Sequence, residues 1–73
     1  MSWQEKKEFE SIESDILKAE NEVERLHALM GEPGFYQREY KVVQDTLAAH
    51  DAAKTRVERL YARWAELEKI ASA

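Results

Sequence analysis

The chain has 73 residues, of which 36% are charged and 44% are hydrophobic, and its formal net charge is −4. It has no cysteine, which excludes disulfides and thiolate metal sites, and it has no apolar run near the ~20 residues of a membrane span. This composition is typical of long helices or a coiled coil in a single small domain. Because no signal-type segment follows Met1, we expect a soluble, intracellular protein.

The charges are distributed unevenly along the chain. Residues 1–36 carry nine acidic and four basic side chains, whereas residues 37–73 carry six acidic and seven basic ones. Two helices of opposite charge bias are better suited to pairing with each other than to gripping a polyanion.

A first helix is predicted over about residues 2–30. Apolar residues recur there at alternating spacings of three and four, which is the pattern of a coiled-coil seam. They are Phe9, Ile12, Ile16, Ala19, Val23, Leu26 and Met30. Ser2 and Glu5 have the spacing of a capping box, which satisfies free N–H groups at a helix start.

A turn is predicted over about residues 31–38, because the only proline and both glycines of the chain lie there. Gly31 is expected in the left-handed conformation that ends many helices. Pro33 prevents the helix from continuing, and Gly34 supplies the freedom needed for the chain reversal.

The aromatic residues after the turn have two predicted roles. Phe35 and Tyr40 are expected to fold down and close the end of the seam. Tyr36 is expected to face a partner, because Arg38 and Lys41 lie beside it in the sequence.

A second helix is predicted over about residues 39–71, where the seam positions are Ala53, Val57, Leu60, Trp64, Leu67 and Ala71. Nearer the turn the pattern weakens, and Thr46 and His50 fall in the seam. For the two helices together, the predicted structural core consists of Phe9, Ile12, Ile16, Val23, Leu26, Val57, Leu60, Trp64 and Leu67.

The short connection predicts that the two helices lie antiparallel, as an all-α coiled-coil hairpin. The preferred register places Ile12 opposite Trp64 and Ile16 opposite Leu60. It also predicts four pairs of opposite charge, which are Lys6–Glu68, Glu20–Lys54, Asp15–Arg63 and Glu22–Arg56. A register one heptad shorter also pairs opposite charges, so charge alone leaves both open.

No pattern in the sequence predicts catalysis or a cofactor site. Neither glycine precedes a Lys-Ser or Lys-Thr pair, as a phosphate-binding loop requires. A metal site would need His27 and His50, with Glu24 or Asp51, but the histidines fall on levels that do not obviously meet. The carboxylates lie on solvated helix faces without a pocket. We therefore expect a non-enzymatic domain without a metal or a cofactor.

Two kinds of binding surface remain open from composition. Arg56, Arg59 and Arg63 share one helix face, as in a phosphate-binding ladder. The predicted ion pairs engage Arg56 and Arg63, which leaves five free bases, namely Lys18, Arg25, Arg38, Lys41 and Arg59. Off-seam apolar residues offer a protein-docking surface instead, and these are Trp3, Leu17, Leu29 and Ile70.

Three segments resemble the C-terminal domain of Uup-type ABC-F ATPases. The opening "SWQEKKEFESIESDI", the turn "GEPGFYQ" and the ending "RLYARWAELEKI" are similar to that domain's motifs, in the same order and with compatible spacing. The matching positions are Trp3, Phe9, Pro33, Phe35, Tyr36, Arg63, Trp64 and Leu67.

The resemblance implies an antiparallel hairpin with an irregular or 3-10-like turn, appended to two tandem ATPase cassettes in a cytoplasmic protein. The parent proteins bind ATP, lack membrane spans and are associated with ribosomes and nucleic acids. For the Uup branch, the resemblance implies that this domain contributes to DNA binding. No ATP-binding motif is present in this chain.

The primary hypothesis is an accessory domain that helps its parent bind DNA or ribosomal RNA through Tyr36, Arg38, Lys41 and Arg59. The alternative is a protein-interaction or spacer hairpin that docks on the parent cassettes or on a ribosomal protein. A self-associating coiled coil is a third hypothesis, although we expect a monomeric hairpin.

Overall fold

The computed structural model describes residues 1–73 as two long helices joined by a short turn. Helix α1 spans Trp3–Met30, a 3-10 helix spans Phe35–Gln37, and helix α2 spans Tyr40–Ala71. The helices lie antiparallel along each other, and the molecule measures 52 × 16 × 15 Å. The predicted all-α hairpin with a 3-10-like turn is confirmed. Neither helix is both long enough and apolar enough to serve as a membrane span.

Helix α1 begins with the predicted capping box. The backbone N–H of Glu5 donates to the Ser2 hydroxyl at 3.2 Å, and the backbone N–H of Ser2 donates to the Glu5 carboxylate at 2.8 Å. These hydrogen bonds satisfy two N–H groups that the first helical turn leaves free. They also lower the pKa of Glu5 below its usual value, because they stabilise the ionised carboxylate.

The glycines of the turn adopt conformations that differ from the prediction in one respect. Gly31 has φ −86° and keeps a right-handed backbone, so its predicted left-handed conformation is wrong. Its N–H donates to the carbonyls of His27 and Ala28, which lets the helix end without a reversal at that residue. The left-handed residue is Gly34, with φ 82°, which leads directly into the 3-10 helix.

The two aromatic residues expected to close the seam behave differently. Phe35 is fully buried and contributes the largest buried side chain of the fold. Tyr40 is 79% exposed, so its predicted inward packing is wrong. Phe35 already fills the end of the seam, and exposure keeps the Tyr40 hydroxyl hydrated.

The hydrophobic core is a single seam between the two helices. Its densest part is a cluster of Ile12, Ile16 and Leu67, and Trp64 and Leu60 pack against this cluster together with Phe9. This packing agrees with the preferred register, in which Trp64 and Leu60 face Ile12 and Ile16. The buried residues are Ile12, Ile16, Ala19, Leu26, Phe35, Val43, Ala53 and Leu67.

Five residues of the predicted core are only half-buried, namely Phe9, Val23, Val57, Leu60 and Trp64. A two-helix hairpin has no third element to cover the edges of its seam. Side chains that reach these edges therefore keep one side in solvent, while Ile12, Leu26 and Leu67 are enclosed.

None of the four predicted pairs of opposite charge forms an ion pair. Arg63 pairs with Glu8 and Glu66, not with Asp15, and Glu22 pairs with Arg25, three residues away on the same helix. Neighbouring side chains on one helix meet at a lower entropic cost than long side chains on two helices. Local pairing of Glu22 with Arg25 therefore replaces the predicted Glu22–Arg56 pair, and Arg56 is left without an ion-pair partner.

Candidate nucleic-acid interface

The tip of the hairpin presents an exposed tyrosine on a rigid support. Tyr36 is 66% exposed and lies in the 3-10 helix. Its ring meets the buried ring of Phe35 edge-to-face, with ring centroids 4.9 Å apart. Because Phe35 is fixed in the core, this contact holds the Tyr36 ring outward, where it can stack on an aromatic ligand.

Two of the predicted basic residues lie beside Tyr36. Arg38 ends the 3-10 helix, and its guanidinium is 3.8 Å from the Glu32 carboxylate in a loose, exposed ion pair. Lys41 lies in the first turn of α2 and forms no ion pair. The helix dipole disfavours a positive charge at the helix N-terminus, so Lys41 does not stabilise α2 from this position.

Tyr40 is a tip residue whose role sequence reasoning missed. Its exposure gives the tip a second solvent-facing ring between Arg38 and Lys41. No signal in the sequence distinguishes Phe35 from Tyr40 as the ring that closes the seam. The structure thus brings together two tyrosines and two bases at one end of the molecule.

Arg59 does not join this group. It lies 18 residues beyond Lys41 on the same helix, which corresponds to about 27 Å at ~1.5 Å per residue. It is exposed and has no ion-pair partner. The four predicted binding residues therefore divide into a tip group of three and one residue on the helix body.

Arg59 follows Ala52 by seven residues on α2, so it lies on the same edge of the hairpin as Ala52, which carries both acidic and basic side chains. A groove of about 280 Å³ on this edge is lined by Lys18, Ala19, Glu22, Ala52, Ala53 and Arg56. Arg56 forms no ion pair, because its predicted partner Glu22 is engaged by Arg25 at 2.6 Å. Arg56 is therefore a free base, although the sequence analysis assigned it to an ion pair with Glu22. Arg25, which was predicted to be free, is paired.

Arg63 is the third arginine of the predicted ladder, but its guanidinium is engaged in ion pairs in the structure. Two of its nitrogens donate to the Glu8 carboxylate and a third donates to Glu66, each at 2.9 Å. These hydrogen bonds raise the pKa of Arg63, and the guanidinium in turn lowers the pKa of Glu8. Arg63 therefore links the helices and is not available to a ligand.

The opposite edge of the hairpin is acidic. A groove of about 320 Å³ is lined there by Glu20, Val23, Glu24, Lys54, Val57 and Glu58. Tyr61 donates a hydrogen bond to the Glu20 carboxylate at 3.0 Å, which raises the pKa of the tyrosine hydroxyl. With three carboxylates and one ammonium, this edge carries a net negative charge that would repel a polyanion.

No group of three or more His, Cys, Asp or Glu side chains is arranged to hold a metal ion. The expectation that the two histidines lie on different levels is nevertheless wrong. The rings of His27 and His50 face each other across the helix interface, with centroids 6.1 Å apart.

The four residues predicted to offer a docking surface differ in exposure. Trp3 and Leu17 are largely exposed, and the ammonium of Lys7 lies 5.0 Å from the centre of the Trp3 ring. Leu29 and Ile70 are half-buried against the hairpin itself. Only Trp3 and Leu17 therefore remain free for a partner.

Comparison with known proteins identifies the family. The model of the ABC transporter C-terminal domain family matches residues 1–69, which is nearly the whole hairpin. No curated protein and no solved structure matches the chain. With the family match covering both helices and the turn, the chain belongs to the ABC transporter C-terminal domain family and is an accessory domain of an ABC protein.

Proposed function

We propose that this domain is the non-catalytic C-terminal domain of a Uup-type ABC-F ATPase and helps its cytoplasmic parent bind DNA or ribosomal RNA. The family match supports an ABC protein, and the order of the opening, turn and ending motifs supports the Uup-type branch. ATP binding and hydrolysis are assigned to the parent cassettes, because the chain has no phosphate-binding glycine loop.

The observation that carries the proposal is the position of Tyr36, Arg38 and Lys41 at the tip. An antiparallel hairpin has both chain ends at one end, so these side chains project from the other end of a 52 Å molecule. A ring that stacks on a base and cations that contact phosphates are the two elements of sequence-tolerant single-strand recognition. We therefore propose that the tip contacts an unpaired or loop region of nucleic acid.

The charge of the tip predicts weak binding. Glu32 and Glu39 lie among the tip bases, and Arg38 is loosely paired with Glu32. Lys41 at the tip and Lys18, Arg56 and Arg59 on the helix body are exposed and form no ion pair. With two or three phosphate contacts to a single strand, the logarithm of the binding constant should fall with the logarithm of salt concentration with a slope of about −1.4 to −2.1. Binding by the isolated domain should therefore be detectable mainly at low salt.

The test is an NMR titration of the domain with single-stranded and duplex DNA and with RNA, at low and moderate salt. Amide signals of the tip and of the edge with Arg56 should shift first, and the double variant Arg38→Glu/Lys41→Glu should weaken the shifts. The matched control is Lys6→Glu/Lys54→Glu, which changes the net charge equally but alters bases outside the tip. Unchanged amide signals at low salt, or equal weakening by both variants, would overturn the proposal.

The second candidate is a protein-interaction or spacer hairpin that docks on the parent cassettes or on a ribosomal protein. The exposure of Trp3 and Leu17 favours it, because an exposed indole is a common anchor of protein interfaces. In a Trp64→Phe background, Trp3 fluorescence should be accessible to a quencher in the isolated domain and protected in the parent protein. Equal quenching in the isolated domain and in the parent protein would exclude docking through Trp3.

A further inference from the structure

The only two histidines of the chain face each other near the tip of the hairpin. His27 lies in the last turn of α1 and His50 lies on α2, and the planes of their rings are inclined by 34°. Both line an open groove of about 660 Å³, together with Val23, Glu24, Ala28 and Lys54. His27 is exposed and His50 is half-buried, so the space between them is accessible from solvent.

We propose that His27 and His50 form an open two-imidazole site for a divalent transition-metal ion such as Zn²⁺ or Ni²⁺, which joins α1 to α2. Neutral imidazole is a preferred ligand of both ions. The proposal is independent of nucleic-acid binding.

The distance between the rings suits a shared ion. At a metal–nitrogen distance of about 2.0–2.1 Å, two imidazoles on one ion have ring centroids about 5–6 Å apart. The observed separation is 6.1 Å. The observed separation is close to that range, and the exposed His27 side chain is free to rotate towards His50.

The charges around the site also favour a cation. Glu24 precedes His27 by three residues and lines the same groove, so it adds a negative charge near the site. The adjoining groove adds Glu20 and Glu58, while Lys54 is the one ammonium at the edge. The three carboxylates outweigh Lys54 and give the groove a net negative charge.

The number of protein ligands determines the kind of site. Structural zinc sites use four protein ligands, whereas no third side chain is positioned to coordinate here. Water would complete the coordination, which predicts reversible binding that follows the free metal concentration. Because the two ligands lie on different helices, the ion binds the folded hairpin better than the unfolded chain and should stabilise it.

The first experiment is thermal unfolding of the untagged chain, followed by circular dichroism, with and without excess ZnCl₂. Zinc should raise the midpoint by at least about 4 °C, the shift expected in a domain of this size for ~1 kcal/mol of linked binding. MgCl₂ at the same concentration should have no such effect, because Mg²⁺ prefers oxygen ligands. His27→Gln and His50→Gln should each abolish the shift, whereas Glu13→Gln, which removes a remote exposed carboxylate, should retain it.

A second measurement tests the site without any substitution. In the intact chain, zinc should perturb the imidazole ¹⁵N signals of both histidines together and at the same metal concentration, and acidification should reverse the change because protonated imidazole does not bind metal. Perturbation of one histidine alone, a thermal shift that survives His27→Gln, or no response to zinc would each overturn the proposal.

Discussion

The guanidinium of Arg63 and the carboxylate of Glu8 are joined by two hydrogen bonds of 2.9 Å each, across 55 positions of the sequence. Such paired hydrogen bonds fix orientation as well as distance. Arg63 also binds Glu66 on its own helix, which holds the guanidinium in place. This is the only ion pair that joins α1 to α2.

The Glu8–Arg63 pair predicts a specific pH dependence of stability. The pKa of Glu8 lies below its ordinary value of 4.5 in the folded chain, chiefly because Arg63 donates hydrogen bonds to the ionised form. Its stabilising contribution is therefore present above the ordinary value and is lost as the pH falls through the lower, folded-state value. Glu8→Gln should lower the melting midpoint at neutral pH. On acidification, the midpoint of this variant should decrease less than that of the original chain. Glu13→Gln is the control, and equal pH profiles for the two variants would contradict the prediction.

Two leucines of α1 and α2 test the core directly. Leu67 is 0% exposed and packs against Ile12 and Ile16, whereas Leu17 is 60% exposed. Leu67→Ala should cost about 2–5 kcal/mol, which is comparable to the whole stability of a domain this small, about 3–5 kcal/mol. Circular dichroism should therefore show a largely unfolded Leu67→Ala chain and a Leu17→Ala chain that melts like the original. A stable Leu67→Ala variant would show that the seam is not the main source of stability.

The hairpin was predictable from sequence because its signals are periodic and local. The spacing of Ile12, Ile16 and Leu26 defines a helix face, and Ser2 with Glu5 defines a helix start, without knowledge of the partner helix. The ion pairs were not predictable in the same way. Long charged side chains choose among several partners of similar energy, and Arg63 could reach Glu8 as readily as Asp15.

The candidate site was predictable only in part, for a related reason. Tyr36, Arg38 and Lys41 are close in sequence, so they remain close at a short turn. The orientation of Tyr40 depends on which ring fills the end of the seam, and the meeting of His27 with His50 depends on the helix register. Both are properties of packing between the helices, which periodicity within each helix does not specify.

The backbone conformations in the turn predict that substitution by alanine affects stability in opposite ways at the two glycines. Gly34 has φ 82°, where a side chain is strained, and Gly31 has φ −86°, where it is not. A Cβ atom at either position would meet only ordinary contacts, the nearest being at 3.8 Å and 3.6 Å respectively. Gly34→Ala should therefore destabilise the chain by about 1–2 kcal/mol through backbone strain alone. Gly31→Ala should be neutral or stabilise by up to about 1 kcal/mol, because it restricts the unfolded chain. Chemical denaturation of the two variants measures this difference, and equal destabilisation would contradict the assigned conformations.

Under the proposed function, the pairing of the arginines predicts which of them contacts nucleic acid. Arg56 forms no ion pair, so Arg56→Gln should leave the melting midpoint unchanged, weaken binding at low salt, and reduce the salt slope by about 1 if the residue contacts a phosphate. Lys54→Gln is the matched control, because it removes one positive charge from the acidic edge and should not weaken binding. Arg63→Gln should instead lower the midpoint by breaking the link to Glu8. Fluorescence anisotropy with a labelled oligonucleotide gives the affinities and slopes. Equal losses for Arg56→Gln and Lys54→Gln would show that net charge, and not the edge with Arg56, determines binding.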